Sequence, residues 1–414
     1  MNFERLRQLL LQKAIEGKLV PQLDEEPSVE QIGEAPKDVP FAIPEKWKWE
    51  KLGNVFSLKA GKFISASEIF SDGHPYLCYG GNGVRGVVDK YNREGRFPLI
   101  GRQGALCGNI NIASGKFYAT EHAVVADSNG LIDVDCAAFF LEKLNLNQYA
   151  TKTAQPGLSV KKISETPFPV PPVEEQRRIV ERLNDLLATL KKAEDAYKDL
   201  QVLGDNLRAK MLQKAIEGKL VPQLEEEPSV AQIGEPPKDV PFAIPEKWKW
   251  TTIGASLQYG SSEQIIGNDI PSDGWILDLE DIEKNTGKLL VKKRGCSSTS
   301  NKAVFRKGDV LYGKLRPYLN KCIVADEDGF STTEIVAIRT VSGSYKFDPE
   351  YIKTFLMSPI FIQYANSLSY GVKMPRLGTK DAKAAVIPVP PLEEQRRIVE
   401  KLNALLPLVD QMSV

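Results

Sequence analysis

Apolar side chains recur with a 4-3 spacing along the middle of the chain and again at both ends. The longest stripe starts at Glu174 and runs for about 44 residues, or roughly 66 Å if it forms one helix. This spacing predicts long helices that pack as a coiled coil, because every third or fourth residue falls on the same helix face. The predicted helical seam consists of Leu6, Leu10, Ile179, Leu183, Leu186, Leu190, Leu200, Leu207, Met211, Ile398, Leu402, Leu405 and Val409.

Between the stripes lie short apolar runs that are broken by glycines. Examples are YLCYGGNGVRGVVDKY at 76–91 and AVFRKGDVLYGKL at 303–315. Alternating and β-branched runs bounded by glycine are typical of strands and hairpins. The pattern therefore predicts an α+β protein in which strand-rich domains alternate with long helices.

The chain repeats itself with two different offsets. Residues 12–49 return at 213–250 with 35 of 38 positions identical, an offset of 201, and residues 169–184 return at 388–403, an offset of 219. The proline-rich part of the first repeat predicts a linker without regular structure. A fold requires only a hydrophobic pattern of about the right volume. The near identity of the copies exceeds this requirement, so we hypothesise that the coding repeats also serve recombination that exchanges the strand-rich domains.

The repeats predict a pseudo-twofold, circular organisation. The alignment leaves only six helical positions between Val414 and Met1. The two termini should then lie within roughly 20 Å of each other, on a helical spacer antiparallel to the central one. The predicted segments are 1–49 (helix and linker), 50–168 (first strand-rich domain), 169–250 (central helix and linker), 251–387 (second strand-rich domain) and 388–414 (last helix).

Composition excludes several classes of protein. The 54 basic and 54 acidic side chains cancel, so net charge does not indicate a nucleic-acid partner. The sequence has neither an 18-residue apolar run nor a signal-peptide pattern, and we expect a cytoplasmic protein. The five cysteines are an odd number without a C-x-x-C pair, which favours reduced thiols over disulfides or a zinc site.

No motif in the sequence indicates a catalytic site. The segment GNGVRG at 81–86 matches the dinucleotide fingerprint, but the alternating residues after it predict a hairpin instead of a helix. His74 and His122 have no metal-ligand companion at a suitable spacing. Walker, amino-methyltransferase and nuclease motifs are absent from the sequence. We therefore expect no catalytic residue, no metal and no cofactor in this chain.

Basic and polar residues interleaved with aromatic ones are the candidates for contact with DNA. Arginine and lysine bind phosphates, and arginine, asparagine and glutamine can read base edges. The predicted DNA-binding residues are Asn82, Arg85, Arg93, Arg96, Arg102, Gln103, Lys161, Lys292, Lys293, Arg294, Arg306, Lys307, Lys314, Arg316, Tyr318 and Lys380.

The chain resembles the specificity subunit of a type I restriction-modification system. The resemblance rests on PVPPVEEQRRIV and PVPPLEEQRRIV, on the helices after them, and on the signatures PLIGRQGALCGNI with ATEHAVV and KGDVLYGKLRPYL with STTEIVAI. It implies two target-recognition domains that read a split site in double-stranded DNA. It also implies two modification subunits, which carry S-adenosylmethionine and methylate adenine, and restriction subunits that add the nuclease.

Two other functions fit the same residues. One is a coiled-coil scaffold whose flanking domains bind protein without reading DNA. The other is a stand-alone enzyme whose site has no recognisable motif. Contacts to several phosphates would make affinity fall steeply with salt, which separates DNA binding from the scaffold. Assays of the isolated chain for nuclease or methyl transfer separate the enzyme.

Overall fold

The computed structural model describes residues 2–151, 156–260, 263–295, 299–341 and 345–412. The chain divides into two compact units, residues 1–196 (unit 1) and 197–414 (unit 2). Met1 and Val414, which we predict to lie close together, are outside the described residues. Cys296 is outside them as well. Both units combine helices with β-sheets.

Unit 1 contains a six-stranded sheet and a separate two-stranded sheet. The large sheet has the order β2-β7-β5-β6-β3-β4, and the small one pairs β1 with β8. The elements are α1 (Phe3–Ile15), β1 (Lys48–Lys51), α2 (Leu52–Val55), β2 (Ser57–Ala60), β3 (Tyr76–Gly80), β4 (Gly83–Val88), β5 (Arg93–Gly101), β6 (Ile110–Ala119), β7 (Ala123–Asp127), α3 (Val134–Lys143), α4 (Val160–Ser164), β8 (Pro167–Val170) and α5 (Val173–Ile216), which continues into unit 2.

Unit 2 spreads its strands over three sheets. Their orders are β10-β18-β15-β16, β11-β14-β17-β12-β13 and β19-β9. The elements are β9 (Lys249–Thr252), α6 (Ile253–Ser256), β10 (Leu257–Tyr259), β11 (Gln264–Ile266), β12 (Trp275–Leu277), β13 (Lys293–Arg294), β14 (Asn301–Phe305), β15 (Val310–Gly313), β16 (Cys322–Val324), β17 (Gly329–Thr332), β18 (Ile335–Thr340), α7 (Pro349–Leu356), α8 (Pro359–Leu368), α9 (Thr379–Ala384), β19 (Val386–Val389) and α10 (Leu392–Met412).

The long helix predicted from the apolar stripe is present as α5, which has 44 residues. It starts directly after Pro171 and Pro172. Glu174 and Glu175 occupy its first turn, where negative charges interact favourably with the positive end of the helix dipole. It ends two residues before Gly218, whose φ of +70° suits glycine and closes the helix. No helix in the described part of the chain is long and apolar enough to cross a membrane.

Most of the buried seam residues lie where a helix meets a domain core. Ile179 and Leu183 are buried in unit 1 with the last residues of α1, and Ile398 and Leu402 are buried in unit 2 with the last residues of α5. Val409 is also buried. Leu10 and Met211 pack against these two cores, and Leu186, Leu190, Leu207 and Leu405 are half-buried.

Leu6 and Leu200 differ from the predicted seam. Leu6 is 40% exposed and Leu200 is 36% exposed. The reason in α1 is that its buried face is confined to Leu11, Ala14 and Ile15, which pack into the core of the strand-rich domain. Heptad spacing identifies a helix face, but it does not say how far along the helix that face is covered.

The two sequence repeats meet in a small sheet in each unit. In unit 1, β1 pairs with β8 and places Lys48 opposite Val170. In unit 2, β9 pairs with β19 and places Lys249 opposite Val389. The strands of the first repeat are related by 201 positions and those of the second by 219, yet both ladders have the same register. Each ladder joins the two ends of one strand-rich domain.

Side-chain contacts hold the linkers in place, because the linkers have no regular secondary structure of their own. Arg178 donates from Nε and Nη2 to the buried carboxylate of Glu26, and Arg397 donates to Glu227 in the same way. Lys46 donates to three carbonyl groups of its linker at 2.6–2.8 Å. Charge-assisted bonds of this kind are stronger than neutral ones.

The P-P-x-E-E-Q segments attach each long helix to its domain. Gln176 accepts a hydrogen bond from the backbone N–H of Asp133, which caps α3, and Gln395 accepts one from Asp348, which caps α7. Glu394 is fully buried and accepts a hydrogen bond from Trp248 Nε1 at 2.9 Å. The glutamine and glutamate that recur in the two copies of this segment therefore make specific buried contacts.

Candidate nucleic-acid interface

Two nine-residue loops have the same backbone hydrogen-bond pattern. They are 101–109 (GRQGALCGN) and 313–321 (GKLRPYLNK), related by 212 positions, and we call them signature loop 1 and signature loop 2. In both, the first N–H donates to the ninth carbonyl and the seventh N–H to the fourth carbonyl. The bonds are Gly101 to Asn109 (2.8 Å), Cys107 to Gly104 (3.0 Å), Gly313 to Lys321 (2.9 Å) and Leu319 to Arg316 (2.9 Å). The fourth and eighth residues of both loops have positive φ.

The second residue of each loop is a basic residue whose backbone is held on both sides. Arg102 donates to the carbonyl of His122 at 2.8 Å and accepts from Leu158 at 2.8 Å. The backbone N–H of Lys314 donates to the carbonyl of Glu334 at 3.0 Å, and its carbonyl accepts from the N–H of Leu377 at 3.1 Å. Both backbones are therefore fixed in the same environment, and both side chains line a groove.

Both grooves are lined by the second residue of a signature loop and by residues of a short helix, α4 in unit 1 and α9 in unit 2. The groove in unit 1 has a volume of about 530 Å³ and includes Arg102, Gln103 and Lys161. The groove in unit 2 has a volume of about 770 Å³ and includes Lys314. Lys161 and Lys380 are exposed and are the second residues of α4 and α9. Each of these helices follows the segment whose backbone N–H binds the second residue of the signature loop.

The turn at 80–83 lies against signature loop 1. Strands β3 and β4 pair antiparallel on either side of it, which confirms the predicted hairpin and excludes a dinucleotide fingerprint. A Cβ on Gly81 would lie 3.1 Å from the carbonyl oxygen of Gln103. Asn82 accepts a hydrogen bond from Asn109 at 2.8 Å. The structure thus brings Asn82, Arg102 and Gln103 together.

Five predicted DNA-binding side chains form ion pairs within their own unit. Charges that are already paired have less to gain from a phosphate, because the existing pair must first separate. In unit 2 these residues belong to or flank strands of the five-stranded sheet, whereas signature loop 2 joins β15 and β16 of the four-stranded sheet. The pairs are Arg96 with Asp135 (2.6 Å), Lys292 with Asp326 (2.8 Å), Lys293 with Asp281 (2.7 Å), Arg294 with Glu327 (2.6 Å) and Arg306 with Glu263 (3.1 Å).

The remaining candidates keep their polar groups more accessible. Arg93 is half-buried and donates to the carbonyl of Asn92 at 2.9 Å. Tyr318 is exposed at the tip of signature loop 2. Within the described ranges, no carboxylate forms an ion pair with Arg85, Arg102, Lys161, Lys307, Lys314, Arg316 or Lys380.

The described cysteines and acids do not form a metal centre. No group of three or more His, Cys, Asp or Glu residues that could hold a metal ion occurs among the residues the structure describes. Burial raises the pKa of the Cys322 thiol to about 12 and raises that of Cys136 well above its usual range. Both thiols therefore stay protonated near neutral pH, the form that is a poor nucleophile.

A hairpin that the sequence patterns did not predict lies beside signature loop 2. Tyr370 and Arg376 exchange both backbone hydrogen bonds, at 3.0 and 3.1 Å, and Arg376 binds the carboxylate of Glu334 at 2.9 Å. The segment YGVKMPR at 370–376 combines a glycine with apolar residues between two helices. A turn signal of that kind could have indicated it.

The sequence matches known proteins in the same two parts that carry these loops. The family described as "Type I restriction modification DNA specificity domain" matches residues 44–196 and 282–410. The specificity subunit of the type I restriction enzyme EcoprrI of Escherichia coli is 48% identical over 132 residues, which are 31% of this chain and 33% of that protein. This match therefore spans about a third of that relative. The EcoDI specificity subunit of Escherichia coli is 23% identical over 392 residues, 89% of this chain and 83% of that protein.

Solved structures show the same fold at lower sequence identity. One, described in a study of complex assembly and conformational transition of the type I R-M system, has a TM-score of 0.60 at 18% identity and covers 90% of this chain and 93% of its own. The HsdS subunit from Thermoanaerobacter tengcongensis has a TM-score of 0.50 at 19% identity, with 90% and 92% covered. Since the family match covers well over half of the chain, this protein belongs to the family of type I restriction-modification DNA specificity subunits.

Proposed function

We propose that the chain reads a bipartite sequence in double-stranded DNA, one half-site for each unit, and does not itself catalyse a reaction. The observation that carries this proposal is the pair of signature loops, which share a backbone but differ in side chains. The basic second residue is retained as Arg102 and Lys314, as expected for a phosphate contact. Gln103 is replaced by Leu315 and Leu106 by Tyr318, as expected for positions that read different bases.

The repeats provide the attachment for two identical partners. We propose two modification subunits, which hold S-adenosylmethionine and methylate adenine, together with restriction subunits where the system has them. The identical ladders and the ion pairs of Arg178 and Arg397 support this proposal, because they present each recognition domain in the same way. Identity extends to exposed linker residues such as Glu25 and Glu226, whose retention a partner surface would explain.

We further propose that residues 50–168 and 251–387 are the recognition domains, and that the helical segments 1–49, 169–250 and 388–414 pack as an antiparallel coiled coil about a pseudo-twofold axis. The half-exposed apolar residues Leu186 and Leu190 support this arrangement, because isolated helices with such a face rarely remain uncovered. Two readers at the ends of a spacer would place half-site centres about one helical turn, roughly 10 bp, apart.

Domain replacement tests the function directly. Residues 50–168 are exchanged for the corresponding domain of another family member, the chain is expressed with its modification partners, and the methylated adenines in the host genome are mapped. We expect one half of the target sequence to change and the other half to stay. A change in both halves, or in neither, would contradict modular reading.

Salt dependence separates DNA reading from a protein scaffold. Affinity of the assembled complex for its mapped target should fall steeply between 50 and 200 mM salt, because bound cations are released from the phosphates. A scrambled duplex of equal length is the control, and we expect it to bind more weakly at every salt concentration. Equal affinity for both duplexes would favour the scaffold.

A further inference from the structure

The hairpin at 370–376 is attached to signature loop 2 by its backbone. Arg376 forms a bridge to Leu315 as well as to Tyr370, and the N–H of Arg316 donates to the carbonyl of Pro375 at 2.7 Å. The hairpin is therefore hydrogen-bonded to the loop that carries the candidate DNA contacts of unit 2. Its tip consists of residues 371–374, GVKM.

The base of the hairpin is held rigidly. The guanidinium of Arg376 contacts Glu334 through Nε at 3.1 Å and through Nη2 at 2.9 Å. The hydrogen bond to Glu334 raises the pKa of Arg376, so the guanidinium stays charged. Glu334 lies in the turn between β17 and β18, and the pair connects the hairpin to the sheet.

The tip exposes apolar side chains without a core beneath them. Val372 is fully exposed, Tyr370 is 62% exposed and Met374 is 45% exposed. Single exposed apolar residues are ordinary, but several on one projecting turn are typical of a surface that is covered by a ligand. Polar residues would form this turn at a lower cost in hydration.

The surroundings of the tip are positively charged. Among the described residues, the basic side chains of Lys314, Arg316, Lys373 and Lys380 form no ion pair with a carboxylate. Asp381 is the one acidic residue between 370 and 383, against four basic residues. An apolar tip flanked by free cations is complementary to a DNA groove, where phosphates border the apolar edges and faces of the bases.

We propose that residues 371–374 enter a groove of the DNA half-site bound by unit 2, where Val372 and Met374 contact bases while the flanking cations contact phosphates. The proposal rests on the proposed function and adds a contact of a different kind to it. Apolar side chains in a groove pack against thymine methyl groups or partly unstacked base steps, so this contact depends on sequence but not on salt.

The test compares a tip variant with a charge variant in the complete complex. The V372S/M374S variant and Lys380→Ala are each assembled with the modification partners, and the dissociation constant for the mapped target duplex is measured from 50 to 200 mM salt. We expect V372S/M374S to bind the target about ten- to a hundredfold more weakly with the salt slope unchanged. We expect Lys380→Ala to weaken binding to all sequences and to reduce the slope by about one.

The readouts separate this contact from the function on which it rests. Because the replaced side chains are exposed, we expect the thermal unfolding of both variants to match that of the wild type. Unchanged target affinity of V372S/M374S, or an equal loss on a scrambled duplex, would overturn the groove contact while leaving the proposed function intact. A wild-type complex that does not distinguish target from scrambled DNA would overturn both.

Discussion

Arg316 in signature loop 2 occupies the backbone position that Gly104 occupies in signature loop 1. Both have left-handed backbones, with φ of +51° and +90°, and both N–H groups donate to a proline carbonyl, Pro375 and Pro156. This conformation costs a residue with a Cβ about 1–2 kcal/mol relative to glycine. Because strained residues cluster at binding sites, we infer that the Arg316 side chain has a function.

Replacing Arg316 with glycine should therefore stabilise the chain and weaken DNA binding. We expect Arg316→Gly to raise the free energy of unfolding by up to about 1 kcal/mol, because the left-handed strain is removed. Arg316→Ala should lose DNA affinity without that gain, because alanine keeps the strain. Urea denaturation and binding to the mapped target measure the two effects.

Asn129 provides the matched control for this pair. It has a φ of +48° in the turn that follows β7 in unit 1 and belongs to neither signature loop, and asparagine tolerates this conformation well. Asn129→Gly should change stability little and leave DNA affinity unchanged. A loss of stability in Arg316→Gly, or wild-type DNA affinity, would contradict the functional role of the strained arginine.

The pair of Arg178 and Glu26 should contribute measurably to the stability of unit 1. In Arg178→Met the buried carboxylate loses its partner, and we expect a loss of about 2–3 kcal/mol. This value is below that of a fully buried pair because the Arg178 side chain keeps 27% of its surface exposed. Thermal unfolding of Arg178→Met, Glu26→Gln and the double variant gives the coupling energy. Additive losses would show that the two side chains act independently.

Stability should depend on pH through Glu394. Burial raises the pKa of this carboxyl, although the hydrogen bond from Trp248 opposes the rise. A raised pKa in the folded state favours the protonated form, so this contribution to stability is complete below the unfolded pKa of about 4.3 and is lost as pH rises through the folded value. Glu394→Gln removes the titration and should stabilise the chain more at pH 8 than at pH 5.

Glu393 is the control for this prediction. It lies next to Glu394 in α10 but is exposed and pairs with Arg396 on the helix surface. Glu393→Gln makes the same change in net charge and should not reproduce the pH-dependent gain. Unfolding followed by circular dichroism at both pH values is sufficient. An equal effect of Glu394→Gln at pH 5 and pH 8 would be inconsistent with a raised pKa.

The buried part of the helical seam should be intolerant of charge. Leu183 and Leu402 are almost completely buried in units 1 and 2. Leu183→Asp or Leu402→Asp should destabilise the corresponding unit by about 3–5 kcal/mol, because an unpaired carboxylate replaces a packed side chain. Val202→Asp, at an exposed position of the same helix α5, should leave the unfolding temperature of the isolated chain nearly unchanged.

The spacing of apolar residues and glycines predicted individual helices and hairpins. It could not predict which side chains from distant segments of the chain contact each other. The stripe from Ile179 onward defines α5, and the glycines at 80–83 define the hairpin. The partners of Arg96 and Lys292 lie 39 and 34 positions away, and sequence alone does not show which acidic residue folds beside them. The ion pairs of these cations are therefore visible only in the structure, and their contact with DNA stays a prediction.

The equivalence of the signature loops was also hidden. Only their glycine at the first position is shared among the nine residues, because turns are specified by φ and hydrogen bonds that different residues can satisfy. Arg316 does not resemble Gly104 by any substitution rule. Once both loops are seen to hold a basic residue at position two, Arg102 and Lys314 become a matched pair.

Arg102 and Gln103 should have separable effects on DNA binding, although they are neighbours. The backbone of Arg102 is fixed from both sides and its position is basic in both units, so Arg102→Ala should weaken binding to all sequences and reduce the salt slope by about one. Gln103 is exposed and has no polar counterpart at Leu315, so Gln103→Ala should relax the preference at one position of the half-site read by unit 1. Lys314→Ala is the matched variant in unit 2 and should behave like Arg102→Ala. Binding of each assembled variant to a library of single-base substitutions in the mapped target measures these effects. A uniform loss for Gln103→Ala, or relaxed specificity for Arg102→Ala, would reverse the two roles.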